Sequence, residues 1–161
     1  WYYEMQELGF NYRITDIQCA LGLTQLKKLD IFVEKRRSIA AKYDEAFKNF
    51  KYIKTPIEPE TRKSAYHLYV VQIDFEKLGK SRSQVMNELR EKGIGTQVHY
   101  IPVFLQPYYK EILNCNNIED FPFSDAFYRK TLSLPLYPMM TKMEVHYVIT
   151  EVKKCLEVTC V

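Results

Sequence analysis

Apolar and polar positions alternate with two different periods along this chain, and the periods divide it. Leu21, Leu23, Leu26 and Leu29 follow Thr15 and Gln18, a pair with capping-box spacing, and predict a helix from about residue 14 to 28. Asp30 is placed to cap a second helix, with Phe32, Ile39, Tyr43 and Phe47 on one face. Lys51 to Ser64 carries Pro56, Pro59 and several charges and reads as a loop. Tyr66 to Phe75 is rich in aromatic and β-branched residues and reads as a strand. Ser81 and Gln84 form a second capping box before Val85, Met86 and Leu89, and Gly93 suits the stop of that helix. Ile94 to Tyr100 is expected to be a short strand ending at Pro102. Pro107 to Leu113 and Asp120 to Tyr128 are expected helices, and Thr131 to Leu134 a third strand closed by Pro135 and Pro138. Thr141 and Glu144 cap a last helix that turns Val145, Val148, Ile149, Val152 and Leu156 inward. Two helices followed by β-α-β-α-β-α predict a small α/β or α+β domain. Its sheet has mostly three strands and is covered by helices on one side.

Composition adds little to that pattern. With 47% hydrophobic and 27% charged residues over 161 positions, the chain is a globular sequence able to bury a core. The net charge of +3 is too small to point to nucleic acid. Lys27, Lys28, Lys35, Arg36, Arg37 and Lys42 form a basic stretch, interrupted by Asp30 and Glu34, that reads as a solvated helix face. Thirteen tyrosines suit either interfaces and polar ligand sites or a Tyr-rich core. Cys19, Cys115, Cys155 and Cys160 show no Cys-x-x-Cys pair and no zinc spacing, so free cytosolic thiols are expected and no metal site. No apolar run reaches the roughly 18 residues of a membrane span. A chain that opens on Trp1-Tyr2-Tyr3 reads as cut from something longer.

Candidate chemistry is sparse. No Ser-His-Asp or Cys-His set can be argued from spacing, and Gly93-x-Gly95 is no phosphate loop. Asn11 and Arg13, just before a helix start, offer an amide and a planar fork of donors that suit a phosphate. They also fit a turn residue and a solvated helix-start residue. His146 reads as a surface or core-edge residue and His67 as structural. His99 leaves a predicted strand at its end, where α/β folds bind ligands, although a structural histidine fits there too.

The stretch Gly9-Phe10-Asn11-Tyr12-Arg13-Ile14-Thr15-Asp16-Ile17-Gln18-Cys19-Ala20-Leu21-Gly22-Leu23 resembles the signature of the DegT/DnrJ/StrS sugar aminotransferases. Three later stretches resemble the same family in order: Tyr66 to Val71, Gly93 to Pro102 running on to Gln106-Pro107-Tyr108-Tyr109, and Leu132 to Pro138. Tyr2 to Met5, Gln18 to Leu23 and Thr96 to Pro102 are similar to the UDP-sugar 4-aminotransferases of pseudaminic acid biosynthesis in particular.

The resemblance implies the small C-terminal domain of a fold-type I pyridoxal 5'-phosphate (PLP) enzyme. Residues 1–50 would be the helical segment linking from a large PLP domain, and 51–161 the small domain. It implies a cytoplasmic bacterial homodimer with its active site at the interface. The activity implied is amino transfer from glutamate to C4 of a UDP-linked 4-keto-6-deoxy-N-acetylhexosamine. Asn11 would hold the PLP phosphate across the interface, with Arg13 beside it. Asn11, Thr96, Gln97, Val98 and His99 would contact the nucleotide sugar. No lysine here stands in the family's cofactor-bonding context, so no catalytic residue is expected in this chain, and none is expected to let it work alone. The rival class is a non-catalytic α/β module that binds a protein or single-stranded RNA by stacking on tyrosine.

Overall fold

The computed structural model describes residues 1–113 and 118–157. Helix α1 (Asp16–Leu26) starts where the capping box places it: Thr15 accepts from the Gln18 N–H, and the Gln18 side chain accepts from the Thr15 N–H. Helix α2 (Leu29–Phe47) follows after a two-residue break. Lys28 occupies its N-cap, so Asp30 lies inside the first turn rather than capping it. There its charge faces the positive end of the helix dipole. Among the described residues the buried core begins only in the second half of α2, at Ile39, Ala40, Tyr43 and Phe47.

The sheet is antiparallel, in the order β1-β2-β3. Strand β2 (Tyr69–Ile73) lies in the middle, pairing Tyr69 with Leu134 and Val71 with Leu132 of β3 (Thr131–Leu134). Its other edge takes β1 (Ile53–Lys54), a two-residue strand inside the segment expected to be loop. A strand that short carries no period to read. Alternation along β2 sends Tyr69, Val71 and Ile73 into the core. The Tyr69 ring meets Tyr43 of α2 at 4.9 Å between centroids, and its hydroxyl donates to Asp44 at 2.6 Å. Burial first, then the Asp44 carboxylate, pushes the Tyr69 hydroxyl far above its usual range.

After a single turn, α3 (Phe75–Leu78), comes α4 (Arg82–Glu91) with the predicted Ser81/Gln84 capping box. It ends in a complete Schellman motif: Gly93 N–H donates to Arg90 O and Ile94 N–H to Leu89 O, with Gly93 at φ 73°. That motif buries Ile94 with Leu89 and throws the chain outward at Gly95. Helices α5 (Pro107–Leu113) and α6 (Pro122–Lys130) lead to β3, and α6 packs against β2. The last helix, α7 (Lys142–Leu156), carries the third capping box, Thr141 with Glu144, and packs against α2 and α4. It buries Val145, Val148, Val152, Cys155 and Leu156.

The expected strand at Ile94 to Tyr100 shrinks to one bridge, Gln97 with Ser133. Extending it would pair Gly95 with Pro135 and His99 with Thr131. Pro135 has no N–H to give. The Thr131 N–H already goes to Phe127 O, and Thr131 O accepts from the Arg82 guanidinium. Both ends of the ladder are therefore closed by neighbours that no local pattern reveals.

Candidate functional site

The sequence-selected residues fall into two groups. Asn11 and Arg13 are exposed, and Arg13 Nε–H donates to Asn11 Oδ1 at 3.0 Å. That bond spends the amide oxygen and turns the pair into a set of donors: the Asn11 amide N–H groups and the rest of the guanidinium. These are the groups an anionic phosphate accepts from. The α1 terminus helps only in part, because Thr15 takes the Gln18 N–H and the Asp16 carboxylate stands in the first turn. Around this pair Phe10, Tyr12, Ile14, Ile17, Leu21, Leu23 and Leu26 are all exposed. Among the described residues, no hydrogen bond or ion pair joins residues 1–31 to the sheet or to α3–α7.

Thr96, Gln97, Val98 and His99 lie at the other group, beside the edge of β3. A recess of about 160 Å³ is lined by Thr96, Gln97 and His99 together with His67, Ser133 and Pro135. Gln97 is exposed and accepts the Val98 N–H on its side-chain oxygen at 3.0 Å, which leaves its NH2 free to face a ligand. Val98 is half-buried and does not line this recess. Thr96 Oγ1 is buried and has no hydrogen-bond partner among the described residues. A buried hydroxyl left in that state costs about 1–3 kcal/mol. His99 Nδ1 lies 2.8 Å from Ser133 Oγ.

His67 and Ser133 were not selected from sequence, yet both line this recess. Arg36 Nη1 of α2 donates to Tyr66 O at 3.3 Å and to His67 O at 3.2 Å. The adjacent Arg37 pairs with Glu58 and reaches Ser64 O, at 2.7 Å in both contacts. The Arg37 guanidinium first, and then the Ser64 N–H, hold the Glu58 carboxyl below its usual range. Tyr66, next to His67, sits at φ 46°, a left-handed conformation that a bulky residue rarely adopts. The two arginines thus pin a turn that delivers His67. In the sequence they read only as part of a solvated basic stretch.

A larger, open depression of about 890 Å³ runs along α7 between Ile94, Pro135, Tyr137, Met140, Met143 and Tyr147. It contains none of the selected residues. No helix among the described residues is long and apolar enough to cross a membrane, and no group of three or more His, Cys, Asp or Glu residues there is placed to hold a metal.

With this geometry established, comparison with known proteins places the chain. It belongs to the DegT/DnrJ/EryC1/StrS aminotransferase family, whose model it matches over residues 1–153. Spore coat polysaccharide biosynthesis protein SpsC of Bacillus subtilis is 42% identical over 154 residues, which are 95% of this chain and 39% of that protein. The UDP-4-amino-4,6-dideoxy-N-acetyl-beta-L-altrosamine transaminase of Campylobacter jejuni is 37% identical over 148 residues, 92% of this chain and 38% of its own. Among solved structures, the Helicobacter pylori aminotransferase PseC, involved in the biosynthesis of pseudoaminic acid, superposes with a TM-score of 0.84. It does so at 29% identity, over 95% of this chain and 40% of its own. The PLP form of the putative sugar aminotransferase Spr1654 from Streptococcus pneumoniae gives 0.83 at 29% identity, over 97% and 39%. The chain therefore spans about two fifths of the length of the relatives it matches. The fold is that of the corresponding part of a fold-type I aminotransferase, and the non-catalytic binding module is not favoured.

Proposed function

We propose that this chain is the C-terminal part of a PLP-dependent nucleotide-sugar aminotransferase. The enzyme moves an amino group from glutamate to C4 of a UDP-linked 4-keto-6-deoxy-N-acetylhexosamine, in the manner of pseudaminic acid biosynthesis. The observation that carries this reading is the family match over residues 1–153; the kinship to the Campylobacter transaminase supports the choice of sugar. Residues 1–50 form the helical link to a large PLP domain, and 51–161 the small domain. The active unit is a cytoplasmic homodimer.

In this reading Asn11 and Arg13 hold the cofactor phosphate of a neighbouring subunit through the donors left over from their mutual bond. When bound, PLP supplies the electron sink for the carbon that gains or loses the amine. Thr96 and Gln97 give hydrogen bonds to sugar or diphosphate oxygens, Val98, outside the recess itself, shapes the pocket wall, and His99 orients the ligand from its free ring nitrogen. The exposed apolar stripe from Phe10 to Leu26 is the surface that the large domain and the second subunit cover.

Two experiments test the proposal in the full-length enzyme. Asn11→Ala is expected to weaken PLP binding at least tenfold, as removing one charge-assisted bond does, in a spectroscopic titration. Unchanged affinity takes Asn11 out of the site. Incubation with glutamate and a UDP-4-keto sugar is expected to yield the 4-amino sugar by mass spectrometry. Turnover only with another nucleotide would reject the UDP assignment. Borohydride reduction of this 161-residue chain with PLP is expected to leave no cofactor adduct on a specific lysine.

A further inference from the structure

Ser133 lies under His99 and is bound to it in an unusual way. In β3 the neighbours Leu132 and Leu134 turn into the core, so Ser133 projects from the opposite face of the sheet. Its backbone is spent on Gln97: Ser133 N–H donates to Gln97 O at 2.8 Å, and Ser133 O accepts from Gln97 N–H at 3.3 Å. Its side chain is buried, with the residue 5% exposed, and Oγ lies 2.8 Å from His99 Nδ1. Because the ladder stops at Gln97, this side-chain bond ties His99 to the sheet. Among the described residues no other hydrogen bond of Ser133 Oγ exists. A buried hydroxyl that only accepted here would leave its own proton unsatisfied, at a cost that native structures avoid. Nδ1 is the acceptor within reach.

We infer that Ser133 is a positioning residue: its hydroxyl donates to His99 Nδ1 and fixes the ring as the Nε2–H tautomer, leaving Nε2–H to donate to an oxygen of the ligand. A bond at one imidazole nitrogen sets the proton on the other. An oxygen-rich ligand, a sugar hydroxyl or a diphosphate oxygen, is what such an N–H donor on the wall of the recess selects. The inference rests on the reading of His99 as a substrate contact.

The test uses the full-length holoenzyme with ¹⁵N-labelled histidine, the His99 signals being identified by their loss in His99→Gln. Wild-type enzyme is expected to show a hydrogen-bonded, unprotonated Nδ1 and a protonated Nε2 at neutral pH. Ser133→Ala is expected to mix the tautomers and to raise KM for the nucleotide sugar about tenfold with kcat nearly unchanged, the effect of loosening one hydrogen-bonded donor. Ser133→Thr, which keeps the hydroxyl, is expected to restore both. A protonated Nδ1 in the wild type, or an unchanged tautomer and KM in Ser133→Ala while His99→Gln raises KM, overturns the inference alone. An unchanged KM in His99→Gln overturns the reading of His99 as a substrate contact.

Discussion

At the scale of single residues, this domain uses tyrosine hydroxyls and one thiol as buried pins. Tyr43 donates to Pro135 O at 2.8 Å, which ties α2 to the chain leaving β3. Tyr69 donates to Asp44 and is wholly buried. Tyr69→Phe keeps the ring and removes that bond, so a loss of about 1 kcal/mol is expected in urea denaturation. A loss near zero would mean that water serves Asp44 equally well. Cys155 faces α4 from α7, with Sγ 3.2 Å from Glu88 Oε2. Burial first, then the Glu88 carboxylate, pushes its thiol up to about 12. Iodoacetamide at pH 8 is therefore expected to leave Cys155 unlabelled in the folded chain and to label it in urea, as peptide mapping reads. Labelling at the rate of an unfolded thiol would contradict its burial.

At the scale of elements, three helices start on the same reciprocal device, at Thr15, Ser81 and Thr141. Thr141→Ala is expected to cost about 1 kcal/mol, because α7 contributes a whole side of the core. The same cap confers sensitivity to acid. The Thr141 N–H first, and then its hydroxyl, hold the Glu144 carboxyl below its ordinary 4.5. The Lys80 ammonium first, and then the Cys155 thiol, do the same for Glu88. A carboxyl lowered in the folded state contributes fully above its unfolded value and loses that contribution as pH falls through the folded one. Urea midpoints are therefore expected to stay level from pH 7 to about 5 and to decline below about 4.5. Glu144→Gln keeps the cap geometry but not the titration, so its decline should be shallower; an identical decline would exclude Glu144 as a contributor.

At the scale of the molecule, the chain is asymmetric. Its second part encloses a core between α2, α4, α7 and the sheet, while α1 buries nothing. A chain starting at Leu29 is expected to unfold at the same urea concentration as the 161-residue chain, since none of the removed residues is buried and, among the described residues, none hydrogen-bonds to the sheet or to α3–α7. Sedimentation is expected to show less self-association for it, because the exposed apolar stripe is gone. A large drop in midpoint would mean that the first 28 residues fold onto the domain.

Local chemistry was enough to place most elements. Capping boxes, the stop at Gly93 and the periods of α1, α4, α7, β2 and β3 act between residues a few positions apart, so the sequence determined them unaided. The family motif around Asn11 was equally legible, because a contiguous signature needs no fold to be seen. The tertiary structure alone decided the rest. Strand β1 is two residues long and exists only because β2 offers it an edge. The expected strand at Ile94 to Tyr100 failed because Pro135, Phe127 and Arg82 close its ladder from three other parts of the chain. The recess gained His67 and Ser133 for the same reason: distant arginines pin one, and strand β3, 34 residues beyond His99 at Ser133, presents the other. Partners that far apart are set by packing, and no period or spacing in the sequence encodes them.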